Sequence, residues 1–178
     1  KSYGCFYTRT TGIWQTVWLE SVPKSHIVNT KHTPQLDAGK LNFASTIEGA
    51  AVGDQIKVVV LDGNKTVTQQ VGDFNATMTI DVPNLQAWSP STPKLYDLDV
   101  QLIRKGKVID RAKSYFAMRK ISMEKDKNGI QRMLLNNKFV FQYGPLDQGW
   151  WPDGLHTAPS DEALKFDIIK TKEMGFNM

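Results

Sequence analysis

The sequence predicts a mainly β protein built as an antiparallel β-sandwich, and two features lead to this prediction. Short runs of alternating apolar and polar residues are separated by Gly, Pro, Asn and Asp, which is typical of strands with one buried face. The chain has 178 residues, of which 40% are hydrophobic and 22% are charged. That is enough apolar material for the core of one domain and part of a second.

About seven strand-like runs lie between Val22 and Lys120, as expected for a two-sheet sandwich. Gln55–Leu61 is rich in β-branched residues, which indicates a central strand. Asp62–Lys65 and Lys105–Lys107 are predicted hairpin turns, because Asn, Asp and Gly tolerate a positive φ. The other predicted strands are His26–Thr33, Leu41–Glu48, Thr66–Val71, Ala76–Val82, Tyr96–Ile103 and Val108–Met118.

The segments on either side of these runs follow other patterns. Ile13–Leu19 is apolar on both alternating faces, which predicts a strand held between two layers. Beyond Lys120, Ile130–Leu135 and Phe139–Tyr143 flank an Asn-rich turn and are predicted to pair as a hairpin.

A helix is predicted near the end of the chain. Ser160 is a favourable N-cap, acidic residues follow in the first turn, and Gly175 is suited to the C′ position. Leu164, Ile168 and Ile169 would form its apolar side. With a strand starting at Phe176–Met178, this region is interpreted as the first βα unit of a parallel-sheet domain.

Composition argues against several classes of function. The formal net charge is +4, and the Lys and Arg residues are scattered among acids, so no nucleic-acid-binding stripe is expected. His26, His32 and His156 have no Cys or His neighbours at metal-ligand spacing, so we expect no metal and no cofactor. No run approaches the roughly 20 apolar residues of a membrane span, so no membrane partner is expected. Cys5, the single cysteine, is interpreted as a small buried hydrophobe.

Three motifs stand in a distinctive order along the chain: Gly12-Ile-Trp-Gln-Thr-Val-Trp-Leu-Glu20, Trp88-Ser-Pro-Ser-Thr-Pro-Lys-Leu-Tyr96 and Gly175-Phe-Asn-Met178. In this order they resemble glycoside hydrolase family 2, the family of β-galactosidases, β-glucuronidases and β-mannosidases. The resemblance implies a fragment of a larger enzyme. Residues 1–21 would close a sugar-binding jelly roll, 22–120 would be an immunoglobulin-like sandwich, and 121–178 would start a catalytic (β/α)8 barrel.

The resemblance also implies a function for the parent protein. It would be an exo-acting enzyme that hydrolyses β-glycosides with retention, through two glutamates located after these residues. No catalytic residue is therefore assigned here, and the sandwich would be a spacer between other domains of the same chain. A free-standing immunoglobulin-like carbohydrate-binding or adhesion module is the alternative, although a sandwich has no use for a βα unit.

The loop from Gly144 to Gly154 is the candidate for substrate contact. In such a barrel it would follow the first strand, and barrel active sites are formed by loops at the carboxyl ends of strands. Its carboxylates, amide and indoles suit the hydroxyl pairs and C–H faces of sugars. The predicted substrate-binding residues are Asp147, Gln148, Trp150, Trp151 and Asp153.

Two other interpretations of the tryptophans and acids stay open. The loop tryptophans could pack the loop while the acids cap turns beside Gly149 and Gly154. Familiar β-galactosidases and β-glucuronidases have Gly-x-Asn-x-His where this chain has Gly144-Pro-Leu-Asp-Gln148, which sets it apart from them. Trp14, Trp18 and Trp88 are interpreted as inter-domain packing or core residues.

Overall fold

The runs of alternating apolar and polar residues form strands, and most of these strands pair with the next strand in the sequence. The computed structural model describes residues 3, 4, 6–13 and 15–178. Within them the strands are β1 (His26–Gln35), β2 (Lys40–Glu48), β3 (Gln55–Asp62), β4 (Lys65–Asp73), β5 (Met78–Asp81), β6 (Tyr96–Arg104), β7 (Lys107–Phe116), β8 (Ile121–Lys125), β9 (Gln131–Leu135) and β10 (Lys138–Phe139). Among the same described residues, a 3₁₀ turn spans Leu36–Ala38 and one α-helix, α1, spans Asp161–Glu173.

The first seven strands form a two-sheet sandwich. One sheet has the order β1-β2-β5 and the other has the order β4-β3-β6-β7. All neighbouring strands within them are antiparallel. The prediction of a mainly β, immunoglobulin-like sandwich of about seven strands is therefore confirmed.

The core of the sandwich lies between the inner faces of the two sheets. Phe43 from β2 and Val58 from β3 are both 0% exposed. Burying a side chain of this size contributes roughly 1.5–3 kcal/mol to stability. The β-branched run in β3 is central as predicted, because β4 and β6 lie on either side of it. Other buried members of the core are Leu41, Ile56, Val60, Met78, Ile80, Val82, Tyr96, Leu98, Val100, Leu102, Phe116 and Met118.

A buried ion pair closes the loop before β3. The carboxylate of Asp54 is 1% exposed and accepts hydrogen bonds from Arg104 Nε at 2.8 Å and Arg104 Nη2 at 2.7 Å. The backbone N–H of Ala51 donates a third bond at 2.8 Å. Because these donors favour the charged form, the pKa of Asp54 is lowered from 3.8 to about 2, mainly by the Arg104 hydrogen bonds.

After the sandwich, the predicted hairpin is only partly correct. β9 pairs mainly with β8, which the sequence reading missed, and β10 extends only over Lys138–Phe139. Phe141–Tyr143 is not part of a strand, because Tyr143 exchanges hydrogen bonds with Asn177 instead. The Asn128-Gly129 pair, with φ of +78° at Gly129, is the turn signal that could have revealed β8.

The strand predicted at Ile13–Leu19 is wrong. None of the described residues in this range belongs to a strand, and Val17, Trp18 and Leu19 are 75%, 70% and 100% exposed. A strand needs a neighbour for its backbone groups, and these residues have none in the part of the chain that the structure describes. Trp18 is thus not in a core. The interpretations of Cys5 and Trp14 fall outside the described residues.

The terminal helix forms as predicted, but the strands expected around it do not. Ser160 Oγ accepts a hydrogen bond from Ala163 N at 3.2 Å, and Gly175 has a φ of +87°. The apolar side chains Leu164, Ile168 and Ile169 are all exposed. Neither Phe141–Tyr143 nor Phe176–Met178 is a strand, so the start of a barrel is not visible. The chain forms two compact units, Ser21–Val140 and Lys1–Glu20 with Phe141–Met178.

Candidate functional site

The candidate loop begins with a turn built around Asp147. The exposed carboxylate of Asp147 accepts a hydrogen bond from the backbone N–H of Gly149 at 2.8 Å. Gly149 has a φ of +64°, which glycine adopts at little cost. This Asx turn corresponds to the turn-capping interpretation. It engages one carboxylate oxygen, Oδ1, in the turn.

The indole of Trp150 is held in place by two aromatic contacts. It stacks on the ring of Tyr7, with the centroids 4.8 Å apart and an angle of 22° between the planes. His156 meets it edge-on, with the centroids 5.1 Å apart and an angle of 85°. Both geometries are favourable for aromatic pairs. The half-buried Trp150 ring is therefore oriented before any ligand arrives.

Loop and helix together enclose an open cavity of about 410 Å³. Asp147, Gln148 and Trp150 line it on the loop side. Asp167, Lys170 and Thr171 line it from one face of α1, at the spacing that brings helix residues onto the same side, and Met174 lines it from the C-cap position just after the helix. The volume is within the range of small-molecule sites.

The helix residues at this cavity were missed by the sequence reading. They follow the ordinary pattern of a solvated helix face, so nothing in their spacing marks them as part of a site. Lys170 is not a free cation in the cavity, because its Nζ donates to Glu173 Oε2 at 2.7 Å. The remaining polar groups are carboxylates, an amide and a hydroxyl, which match the donors and acceptors of a saccharide.

Trp151 and Asp153 lie apart from the cavity, in a tight turn of their own. The backbone N–H of Trp151 donates to the carbonyl of Leu155 at 2.8 Å, and Leu155 N donates back at 3.2 Å. Leu155 has a φ of +56°, and Asp153 is exposed between these two residues. The structure thus brings Asp147, Gln148 and Trp150 together at the cavity and leaves the other two predicted residues outside it.

The described residues contain neither a metal-binding cluster nor a membrane-spanning helix. Across residues 3, 4, 6–13 and 15–178, no group of three or more His, Cys, Asp or Glu side chains is arranged to hold a metal ion. No helix in the same residues is long and apolar enough to cross a membrane.

The sandwich has counterparts among solved structures of glycosidases. The b-glucuronidase from Ruminococcus gnavus in complex with D-glucaro 1,5-lactone matches 87% of this chain and 25% of its own, with a TM-score of 0.74 and 17% identity. At that identity the match shows the fold alone. The protein is therefore a mainly β chain with the immunoglobulin-like sandwich found in such enzymes.

The sequence comparisons give the family. The model of glycosyl hydrolases family 2 matches residues 25–119, which coincide with β1–β7. A beta-galactosidase from Alteromonas mediterranea is 30% identical over 186 residues, and a putative beta-glucuronidase from Formosa agariphila is 27% identical over 175 residues. These matches cover 94% and 93% of this chain but 17% and 21% of the relatives. The chain belongs to glycosyl hydrolases family 2 and spans about a sixth of the length of its first relative.

Proposed function

We propose that this chain is part of an exo-acting, retaining β-glycosidase in which the sandwich is a spacer between domains. The main support is the match of the family model to residues 25–119, which correspond to the seven-stranded sandwich. Its relatives include enzymes named beta-galactosidase and putative beta-glucuronidase. The partners of the chain would be a carbohydrate substrate and the other domains of its parent. The bounds 1–21, 22–120 and 121–178 are proposed for its domains.

A spacer has to be rigid, and the sandwich has the features of a rigid body. Its core side chains are almost completely buried, and β3 is hydrogen-bonded on both edges. Both inner faces belong to the same chain segment, so this unit needs no outside surface to complete its core. Domains attached at its two ends would therefore keep a fixed separation.

The loop from Gly144 to Gly154 is proposed to contact the substrate of the parent. Asp147 Oδ1 is used by the turn, which leaves Oδ2 as an acceptor for a sugar hydroxyl at the cavity. The amide of Gln148 and the oriented ring of Trp150 would add a second polar contact and an apolar face. Trp151 and Asp153 would contact the substrate only outside this cavity.

The residues of this loop are not proposed to be the two catalytic carboxyl groups that retaining hydrolysis requires. It needs a nucleophile and an acid/base whose carboxyl groups are roughly 5–5.5 Å apart. We place both glutamates in the part of the parent that lies outside this chain. The 178-residue chain alone should then hydrolyse no β-glycoside.

The test is an assay of the purified chain with nitrophenyl β-galactoside, β-glucuronide and β-mannoside. We expect release of nitrophenol at the buffer rate, whereas the full-length parent should turn over at least one of these substrates. Turnover by the chain that follows it through successive purification steps would refute the assignment. A parent that is inactive on a wider panel of β-glycosides would refute the enzyme itself.

A free-standing carbohydrate-binding or adhesion module is the second candidate. The observation in its favour is that the family model matches the sandwich and not the loop or the helix. The two hypotheses differ in the length of the gene. A reading frame that continues well beyond Met178 into a catalytic domain would exclude the module, and a stop codon shortly after it would exclude the enzyme.

A further inference from the structure

The sandwich has a second cavity that the proposed function does not use. Its volume is about 500 Å³, and it lies where the ends of β1 and β7 meet the loop before β6. The residues that give it its chemistry are His32, Trp88, Leu95, Tyr115, Arg119 and Ile121. All of them belong to the unit Ser21–Val140.

Tyr115 presents an exposed aromatic ring at this cavity. Its side chain is 64% exposed, although it sits near the end of a strand whose backbone is fixed by pairing with β6. Leu95 and Ile121, which also line the cavity, are 48% and 65% exposed. An exposed ring on a rigid strand loses little conformational entropy when a flat ligand stacks on it.

Arg119 is held by the indole of Trp88, and Trp88 is itself anchored. The guanidinium lies 5.1 Å from the centroid of the Trp88 ring, within the range of a cation–π contact. The backbone N–H of Trp88 donates to Met118 O at 2.9 Å, and its carbonyl accepts from Asn136 Nδ2 at 2.8 Å. Trp88 is thus a positioning residue that orients the guanidinium.

In the part of the chain that the structure describes, no acidic neighbour neutralises the charge of Arg119. None of the ion pairs found in the described part of the chain involves it. No Asp or Glu is among the described residues that line the cavity. An uncompensated guanidinium with parallel N–H donors is suited to a carboxylate or a sulfate.

His32 lines this cavity but does not add a second positive charge to it. Its ring stacks on Phe43 with the centroids 5.7 Å apart, and its Nε2 is buried without a hydrogen-bond partner in the described residues. Burial lowers the pKa of His32 below its ordinary value of 6.5, so the ring is neutral at pH 7. Among the described residues that line the cavity, Arg119 is therefore the one that carries a charge.

We propose that this cavity binds an oligosaccharide that bears an anionic group, with a sugar ring stacked on Tyr115 and the anion paired with Arg119. An aromatic face beside charged and polar groups is what the C–H surface and substituents of an acidic sugar require. The concave volume is that of a small-ligand site, whereas a stable protein interface needs roughly 800 Å² from each partner. The site is separate from the proposed glycosidase activity and does not depend on it.

The test uses the 178-residue chain and two probes that differ only in charge. These are cellotriose and its C6-oxidised counterpart, β-1,4-linked triglucuronic acid, each titrated into ¹⁵N-labelled protein at pH 7. We expect the acidic trimer to shift the amide signals of Trp88, Tyr115 and Arg119, with cellotriose binding about tenfold more weakly or worse. Arg119→Met and Tyr115→Ala should each weaken binding of the acidic trimer by about tenfold.

Matched variants separate this site from general charge attraction. Lys107→Met removes an exposed cation from the other end of β7 and should leave the affinity unchanged. Arg119→Lys keeps the charge but loses the planar fork, so it should bind with intermediate affinity. Tyr115→Ala is the safeguard against misfolding, because its exposed ring is outside the core, and amide dispersion will show whether each variant is folded.

Several results would overturn the proposal. One is that neither trimer shifts the amide signals at about 10 mM, because the dissociation constant would then be too high for specific binding. Others are equal losses in Lys107→Met and Arg119→Met, or shifts confined to Asp147–Trp151, which would assign the sugar to the loop. Sedimentation showing self-association that Tyr115→Ala abolishes would make the cavity an interface between copies. None of these outcomes depends on glycosidase activity in the parent.

Discussion

Replacing Arg104 with Met should raise the pKa of Asp54 and make the sandwich more sensitive to acid. Arg104 supplies two of the three hydrogen bonds that the Asp54 carboxylate accepts, at 2.8 and 2.7 Å. After the substitution only the Ala51 N–H remains, at 2.8 Å, beside a carboxyl group that is 1% exposed. Burial without a cation favours the neutral acid, so the pKa should rise from about 2 to 3.8 or above.

The pH range of the effect follows from the direction of the shift. In the folded protein the pKa of Asp54 is depressed from 3.8 to about 2, because Arg104 and the Ala51 N–H favour the charged form. A group with a depressed pKa contributes stability that is fully present above the unfolded value and is lost as the pH falls through the folded value. The native pair should therefore hold from pH 7 down to about 4 and fail between about 4 and 2.

The assay is a ¹³C NMR titration of the Asp54 carboxyl signal, together with acid unfolding followed by circular dichroism. Arg111→Met is the matched control, because Arg111 pairs with Asp99 through Nε at 2.5 Å and Nη2 at 2.7 Å. The hydrogen bond from Arg111 lowers the pKa of Asp99, so Arg111→Met should raise that pKa and leave the pKa of Asp54 unchanged. A pKa that stays near 2 for Asp54 in Arg104→Met would show that the loop backbone, and not the ion pair, holds the charge.

Three further predictions concern the core, the rigid unit and the loop. Phe43→Ala removes a ring that is 0% exposed and should lower the free energy of unfolding by about 3–5 kcal/mol. Leu19→Ala, at a site that is 100% exposed, should change the free energy of unfolding by less than about 0.5 kcal/mol. Urea titration measures both values. Limited proteolysis should leave a resistant core that contains most of Ala38–Met118, and a stable core that excludes this range would contradict the self-contained sandwich. In the full-length parent, Asp147→Ala should lower kcat/KM about ten- to a hundredfold. Unchanged kcat/KM beside a lower melting temperature would leave Asp147 with its turn-capping role alone.

Features with a local cause were predicted correctly from the sequence. The β6–β7 turn has φ values of +49° at Lys105 and +76° at Gly106, as its Lys-Gly-Lys run suggested. Helix α1 begins after Ser160, whose side chain caps it, because a hydroxyl at this position satisfies a backbone N–H of the first turn. Such signals depend only on residues close together in the chain, so one sequence is enough to detect them.

Pairing choices between distant segments were predicted less well. β9 runs beside β8 in preference to Phe141–Tyr143, because β8 offers five paired residues and a tight Asn-Gly turn. Tyr143 then exchanges bonds with Asn177, which lies 34 residues further along the chain. The cavity at the loop shows the same limit. Asp147 was predicted from its residue type, but Asp167 enters the cavity only because the helix lies against the loop.

The apolar side chains of the sandwich are buried, whereas those of helix α1 in the other unit are exposed. In the sandwich, the alternating residues of β2, β3 and β6 meet in a core where Leu41, Val58 and Val100 are 0% exposed. Helix α1 carries the apolar side chains Leu164, Ile168 and Ile169 among many polar ones, yet Ile168 is 69% exposed and the helix has no buried residue. Burial of apolar area is the main source of stability. The sandwich therefore has the stability expected of an independently folded unit, whereas the surface of α1 retains apolar area that packing against a further layer would stabilise.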